Sequence, residues 1–200
     1  MKAREEFRLE DYRQERLTID IVWANIFGVL ILIPIAFIFG LPYYLIWKDT
    51  FSLDAFDEFV SKHIGFSFPL IAFAVLVLGI IAHELIHGIF WAQYAKNGFK
   101  SIKFGILLKM LTPYCHCKEA LKVKHYIIGA VMPAIILGII PSIIAICIGN
   151  IGLLAFGIIF TMAAAGDFLI INLLRKENKE DWVQDHPSEA GCYIYRKNNE

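Results

Sequence analysis

The chain predicts an all-α polytopic membrane protein: four transmembrane helices, with a short cytosolic strand or loop insertion between the second and the third. Three observations carry this expectation. Hydrophobic residues make up 58% of the sequence and charged ones only 19%, outside the usual balance of a soluble domain. The apolar residues are gathered into runs that match or exceed the ~20 residues a helix needs to cross a bilayer. Lysines and arginines, finally, cluster in alternate connecting segments rather than being spread evenly.

Residues 1–20 are strongly charged and lack the apolar core of a cleavable signal peptide. They read as an amphipathic entry to a first helix that is retained. Ile21–Trp47 carries no charged residue and forms helix one, about 21–47. Pro34 and Pro42 interrupt it, and Pro42 is expected to end or kink it near the outer interface. Trp23 at one end, and Tyr43, Tyr44 and Trp47 at the other, fit interfacial aromatic belts. In the outer loop Ser52 suits an N-cap, followed by Leu53, Phe56, Phe59 and Val60 at the spacing of a short surface helix.

Helix two takes residues 66–95. After it, Ser101–Ile106 alternates polar or small residues with apolar ones, so Phe99–Cys117 reads as a strand pair or loop folded against the bundle. Lys118–Lys124 is expected to form a short helical lead into helix three. Tyr126–Gly166 is uncharged and about twice the length of one crossing. Its natural turn, Gly149-Asn150-Ile151-Gly152, divides it into helices three and four at about 126–149 and 152–174. A polar tail, 175–200, follows, and residues 1–200 are expected to form one membrane-embedded domain.

Nineteen basic and 19 acidic residues cancel, which gives no support to a nucleic-acid partner. Their distribution says more. Lys2, Arg4, Arg8, Arg13 and Arg16 precede helix one, and seven lysines from Lys96 to Lys124 lie between helices two and three. The other side offers Lys48 and Lys62 beside Asp49, Asp54, Asp57 and Glu58. By the positive-inside rule both termini and the lysine-rich connector are cytosolic, in an integral protein whose surroundings are the lipid bilayer. Cys115, Cys117 and Cys192 then face a reducing compartment, so no disulfide framework is implied. Cys115-His116-Cys117 has metal-binding side chains, but two thiols one residue apart make a poor complete site.

One pentapeptide stands out. Between Lys62 and Lys96 the only acidic, basic or imidazole side chains are His63, His83, Glu84 and His87. Ionisable groups at membrane depth are costly and mark functional sites. In His83-Glu84-Leu85-Ile86-His87 the two histidines stand one above the other on a helix face. That spacing suits one Zn²⁺, and the adjacent glutamate suits a general base. The competing reading is an intramembrane cluster satisfied by neighbouring helices.

A catalytic zinc usually takes three protein ligands and one open position. Asp167, His63, His116, His125, Glu119 and the two cysteines of the tract are the candidates for the third. Depth separates them. His87 lies roughly 12 Å from the cytosolic end of its helix, if that end is near Ala95, and Asp167 roughly 10 Å from its own end near Leu174. His63 is at the opposite end of helix two; His125 and the tract start at the interface. A carboxylate in lipid also requires a partner of its own, so Asp167 is the expected third ligand.

The histidine pair on one apolar helix and the aspartate on a later one resemble the site-2 protease family of intramembrane zinc metalloproteases. The His83-Glu84-Leu85-Ile86-His87-Gly88 sequence, the size and the four-helix layout are more similar still to the putative zincin peptidase family of small bacterial membrane proteins. The likeness spans about residues 66–175. It implies a bacterial cell-membrane metallopeptidase in which His83, His87 and Asp167 hold zinc and Glu84 is catalytic. Gly166 precedes the aspartate here and Phe168 follows it, whereas site-2 proteases place a glycine directly after theirs. There is also no room for the PDZ domain many of those enzymes carry.

The reaction implied is hydrolysis of peptide bonds within or beside the membrane by zinc-activated water, on a membrane protein or peptide substrate. The alternative is a non-hydrolytic zinc-binding membrane protein: a metal transporter, a sensor or an assembly factor. Neither use requires Glu84 beside the first histidine. A homo-oligomer is compatible with the sequence, and Phe99–Leu107 is expected to serve as a docking strand for an unwound substrate.

Overall fold

The computed structural model describes residues 7, 9–49, 67–107, 112–186 and 189–198. Ser52, the short surface helix it was expected to cap, and His63 lie outside the described residues.

Helices α1 (Ile21–Leu30) and α2 (Leu32–Trp47) together occupy the first apolar run. The interruption comes at Ile31. Pro34 explains it, because its missing N–H leaves the carbonyl of Leu30 without the usual donor four residues on. Pro42 neither ends nor visibly breaks α2, which runs through it to Trp47; an isolated lost donor is tolerated where the rest of the helix is continuous. The next run forms α3 (Ser67–Ala92), slightly shorter than expected.

Beyond α3 come β2 (Ile102–Leu107) and β3 (Thr112–Cys117), an antiparallel pair in which Lys103 faces His116 and Phe104 faces Cys115. Lys118–Lys124 is not a helical lead. It contains β4 (Leu121–Lys122), and α4 (Val123–Pro133) starts directly after it. The reason is a partner: Leu121 pairs with Val183 of the chain's last segment, and the Lys122 ammonium sits 4.2 Å from the ring centre of Trp182.

After Pro133 the chain opens into one π-helical stretch, Ala134–Ile139, before α5 (Ile140–Ile148). Gly149 ends α5 in the left-handed region, φ 73°, which glycine reaches without strain. Asn150 then caps α6 (Ile151–Ala163), accepting from the Leu153 N–H at 2.9 Å. A break at Ala164 separates α6 from α7 (Ala165–Leu174), and the two are bent by 43°. Among the described residues, three helices are long and apolar enough to cross a membrane, or four if the bent pair counts as one span.

The all-α expectation fails at both ends of the chain. Residues expected as a charged amphipathic entry to the first helix form β1 (Tyr12–Thr18), with β5 (Trp182–Asp185) and β6 (Gly191–Lys197) in the segment expected as a polar tail. They join β4 in a four-stranded antiparallel sheet ordered β1-β6-β5-β4. Tyr12 pairs with Lys197 and Thr18 with Gly191.

Contacts divide the chain into two compact units. One comprises Met1–Asn25, Leu85–Met132 and Gly166–Glu200. Its core of Trp91, Leu121, Val123, Tyr126, Val183 and Ile194 lies beneath the sheet strands. The other comprises Ile26–Glu84 and Pro133–Ala165. There the Tyr43 hydroxyl donates to the Gly149 carbonyl at 2.9 Å and Trp47 Nε1 to the Ile146 carbonyl at 2.8 Å, tying α2 to the end of α5.

Candidate metal centre

Helix α3 carries His83 and His87 one turn apart in an unbroken stretch, so helical geometry alone stacks them on one face. Both are buried, at 8% and 4% exposure. Asp167 stands in the first turn of α7. The bend at Ala164 therefore creates a helix N-terminus where the carboxylate needs one, since exposed N–H groups there favour negative charge. Asp167 Oδ1 lies 3.3 Å from His87 Nε2. Taken together, one ligand atom from each of His83, His87 and Asp167 lies within 4.8 Å of the others.

The donor set fits zinc. Two ligands on a tetrahedral zinc, each about 2.0–2.1 Å from the ion, stand roughly 3.3 Å apart, which is the observed separation between His87 and Asp167. An ion pair would account for that edge alone. It does not account for a second buried imidazole with a ring nitrogen within 4.8 Å of both, whereas two imidazoles and a carboxylate with a fourth position left open make a catalytic zinc set.

His87 is oriented from behind. Its Nδ1 lies 2.9 Å from the carbonyl oxygen of Gly129 on α4. A carbonyl only accepts, so Nδ1 carries the hydrogen, and Nε2, which faces Asp167, would be the nitrogen offered to a metal. Trp91, one further turn along α3, stacks on the His87 ring at 4.9 Å between centroids. Gly129 is where α4 comes close: a Cβ there would meet Trp91 Nε1 at 2.1 Å. Gly88 does the same for the hairpin, because its missing Cβ makes room for Phe104 and Ile102 of β2.

Glu84 follows His83 on α3 and is partly exposed. The other candidates have different employment. The Glu119 carboxylate accepts from the Lys96 and Asn97 backbone N–H groups and from Ser101 Oγ, closing the turn after α3. Burial, which alone would raise its pKa, is outweighed by those hydrogen bonds, and the carboxyl is held below its ordinary value. His125 stacks on Tyr94 at 4.0 Å. His116 pairs with Asp185, Nδ1 to Oδ2 at 3.7 Å. Cys115 and Cys117 lie on β3, and burial, the largest cause, pushes the Cys117 thiol up to about 12. Among the described residues, His83, His87 and Asp167 are the one His/Cys/Asp/Glu group with metal-holding geometry.

Gly129, Pro133, Trp91 and Asp185 escaped the sequence reading. The four-residue spacing from Gly129 to Pro133 was a usable signal; nothing distinguishes Asp185 from the other acidic residues of its segment.

Fold and donor set define a candidate metal-binding protein built on membrane-length apolar helices. The comparison with family models is more specific. The model described as putative zincin peptidase matches residues 76–182, and the chain belongs to that family. Membership points to a zinc metallopeptidase. No curated protein and no solved structure matches the chain.

Proposed function

We propose that this chain is an intramembrane zinc metallopeptidase of site-2-protease-like design, cleaving peptide bonds within or beside the bilayer. The observation that carries the reading is the convergence of His83, His87 and Asp167 beside a glutamate with the zincin spacing. When bound, zinc supplies a Lewis acid that polarises a carbonyl and activates water near neutral pH. His83, His87 and Asp167 would hold it, and the single carboxylate would keep the charge of the site low. Glu84 takes the proton of the attacking water on its carboxylate and returns it to the leaving amide nitrogen.

Chain topology supports four crossings with both termini on one side. β1, β4, β5 and β6 share a sheet, so residues 12–18, 121–122, 182–185 and 191–197 lie on the same face of any membrane. The run Ile21–Trp47 and helix Phe68–Ala92 separate β1 from β4. Between β4 and β5 stand Val123–Ile148 and the bent pair Ile151–Leu174. If Val123–Ile148 crosses, the bent pair must bring the chain back. Exposed apolar side chains agree: Val29, Ile33 and Leu70 are 70%, 69% and 67% exposed, a cost in water that lipid removes. Lysine excess on the sheet side makes that side cytosolic.

Glu84→Gln tests the reading. The amide keeps size and hydrogen bonding but cannot serve as base, so zinc content should persist while turnover of a transmembrane peptide falls roughly 10²–10⁴-fold. A folded, zinc-loaded variant with parental turnover would overturn Glu84 as the base, and a zinc-loaded parent without turnover would return the chain to the non-hydrolytic class of transporter, sensor or assembly factor.

A further inference from the structure

A second polar cluster lies within the unit that contains His87, and the hydrolytic reading does not use it. Its centre is Asp185, the last residue of β5. One carboxylate oxygen accepts the Tyr126 hydroxyl. The other accepts the Cys117 N–H at 2.8 Å and stands 3.7 Å from His116 Nδ1. Two donors, with the His116 ring beside them, thus converge from two other elements on a carboxylate that, when ionised, only accepts. Burial, the largest influence, raises the Asp185 carboxyl above its ordinary value, opposed by His116, the Tyr126 hydroxyl, the Cys117 N–H and His87.

From Tyr126 the cluster continues to His87 by direct contact. Trp91 Nε1 donates to the Tyr126 carbonyl at 3.0 Å, and the two rings stack at 4.9 Å and 22°. The other neighbour of Trp91 is the His87 imidazole, also at 4.9 Å and inclined by 12°. Trp91 and Tyr126 are each 4% exposed, so neither ring has room to turn without displacing its neighbours. Imidazole plane, indole plane and phenol plane are consequently set together, and the end of that stack is fixed by a carboxylate delivered from the C-terminal sheet.

We propose that Asp185 and Tyr126 are positioning residues of the metal centre: Asp185 fixes Tyr126, Tyr126 fixes Trp91, and Trp91 fixes the plane of His87. The inference rests on the zinc-site reading. It gives β5 a task in metal binding although Asp185 falls just beyond the family match, which ends at residue 182.

The test uses the full chain, purified, with zinc affinity measured by chelator competition and the site geometry read from the visible absorption of the cobalt-substituted protein. Tyr126→Phe removes one oxygen atom, and Asp185→Ala the carboxylate. Each should lower zinc affinity roughly 10–100-fold, the usual effect of losing a group that orients a metal ligand, and should alter the cobalt spectrum. Val183→Ala is the control: it truncates a fully buried side chain of the same strand, loosening the sheet while leaving affinity and spectrum at parental values. Parental affinity and spectrum in both Tyr126→Phe and Asp185→Ala would overturn the inference, as would an equal loss in Val183→Ala. A parent protein that binds no zinc overturns the metal-site reading and this inference with it; a zinc-binding parent with unaffected variants overturns this inference alone.

Discussion

Gly129 gives its carbonyl oxygen to His87 Nδ1 at 2.9 Å, and Pro133 explains why that oxygen is there to give. In a helix the carbonyl of residue 129 would accept from the N–H of residue 133. Proline has no N–H, so a buried acceptor is left over inside α4 and the helix widens into the π-helical stretch after it. The imidazole supplies the missing donor. An acceptor unsatisfied in an apolar interior would cost about 1–3 kcal/mol, so helix α4 and His87 each answer the other's requirement.

Pro133→Ala should restore the helical donor, draw the Gly129 carbonyl back into α4 and loosen His87. Zinc affinity should fall roughly 10-fold, the lower end for such partners, because the oxygen retains a second lone pair. Chelator competition on the folded variant checks this. Unchanged affinity would mean that the carbonyl serves both donors equally well.

Metal content should be about one zinc per chain, held as a three-residue set with one open position. His83→Ala and His87→Ala should each abolish it, since either leaves one imidazole and one carboxylate. Asp167→Ala should weaken binding severely. Elemental analysis decides: full occupancy in Asp167→Ala removes that residue from the metal.

Thiol reactivity should follow burial. Cys117 and Cys192 are buried, and burial first of all pushes both thiols up to about 12. At pH 8 their thiolate fraction is negligible, and it should rise only as pH approaches that value, because the neutral thiol is the form the interior favours. Mass spectrometry after brief alkylation should show both unmodified in the folded protein and modified once it is denatured. Rapid labelling of Cys192 in the folded state would contradict the sheet placement of β6.

Backbone direction along β2 sharpens the docking proposal. Lys118 N–H donates to the Ser101 carbonyl across the start of the hairpin, so in an antiparallel ladder residues 101, 103 and 105 turn their backbone groups to β3. Ile102, Phe104 and Ile106 then point theirs the other way, where β2 has no strand partner among the described residues. Phe104→Pro should remove an outward donor without breaking the hairpin. Phe104→Ala is the control for the lost ring against Gly88. Cleavage of a transmembrane substrate should drop much further in the proline variant than in the alanine one, at equal zinc content; equal rates would refute strand addition.

The sequence alone determined the apolar spans, the zinc-spaced histidines and the choice of Asp167 as the carboxylate to meet them. All three are one-dimensional signals, because an ionisable side chain inside a lipid-length run is conspicuous and expensive wherever it falls. The reading of Phe99–Cys117 as a strand pair or loop rested on a similar signal, alternation every second residue, and strands Ile102–Leu107 and Thr112–Cys117 form within it.

Only the tertiary structure decided the rest. Nothing local in Tyr12–Thr18 or Gly191–Lys197 says that they pair, because the pairing joins opposite ends of the chain and its register is set by partners rather than by propensity. The same holds for Asp185. It became the centre of a buried cluster only when β5 brought it against Cys117, His116 and Tyr126. A charge in a polar segment carries no mark of its destination; burial and converging donors, which belong to the folded chain, are what give Asp185 its place behind His87.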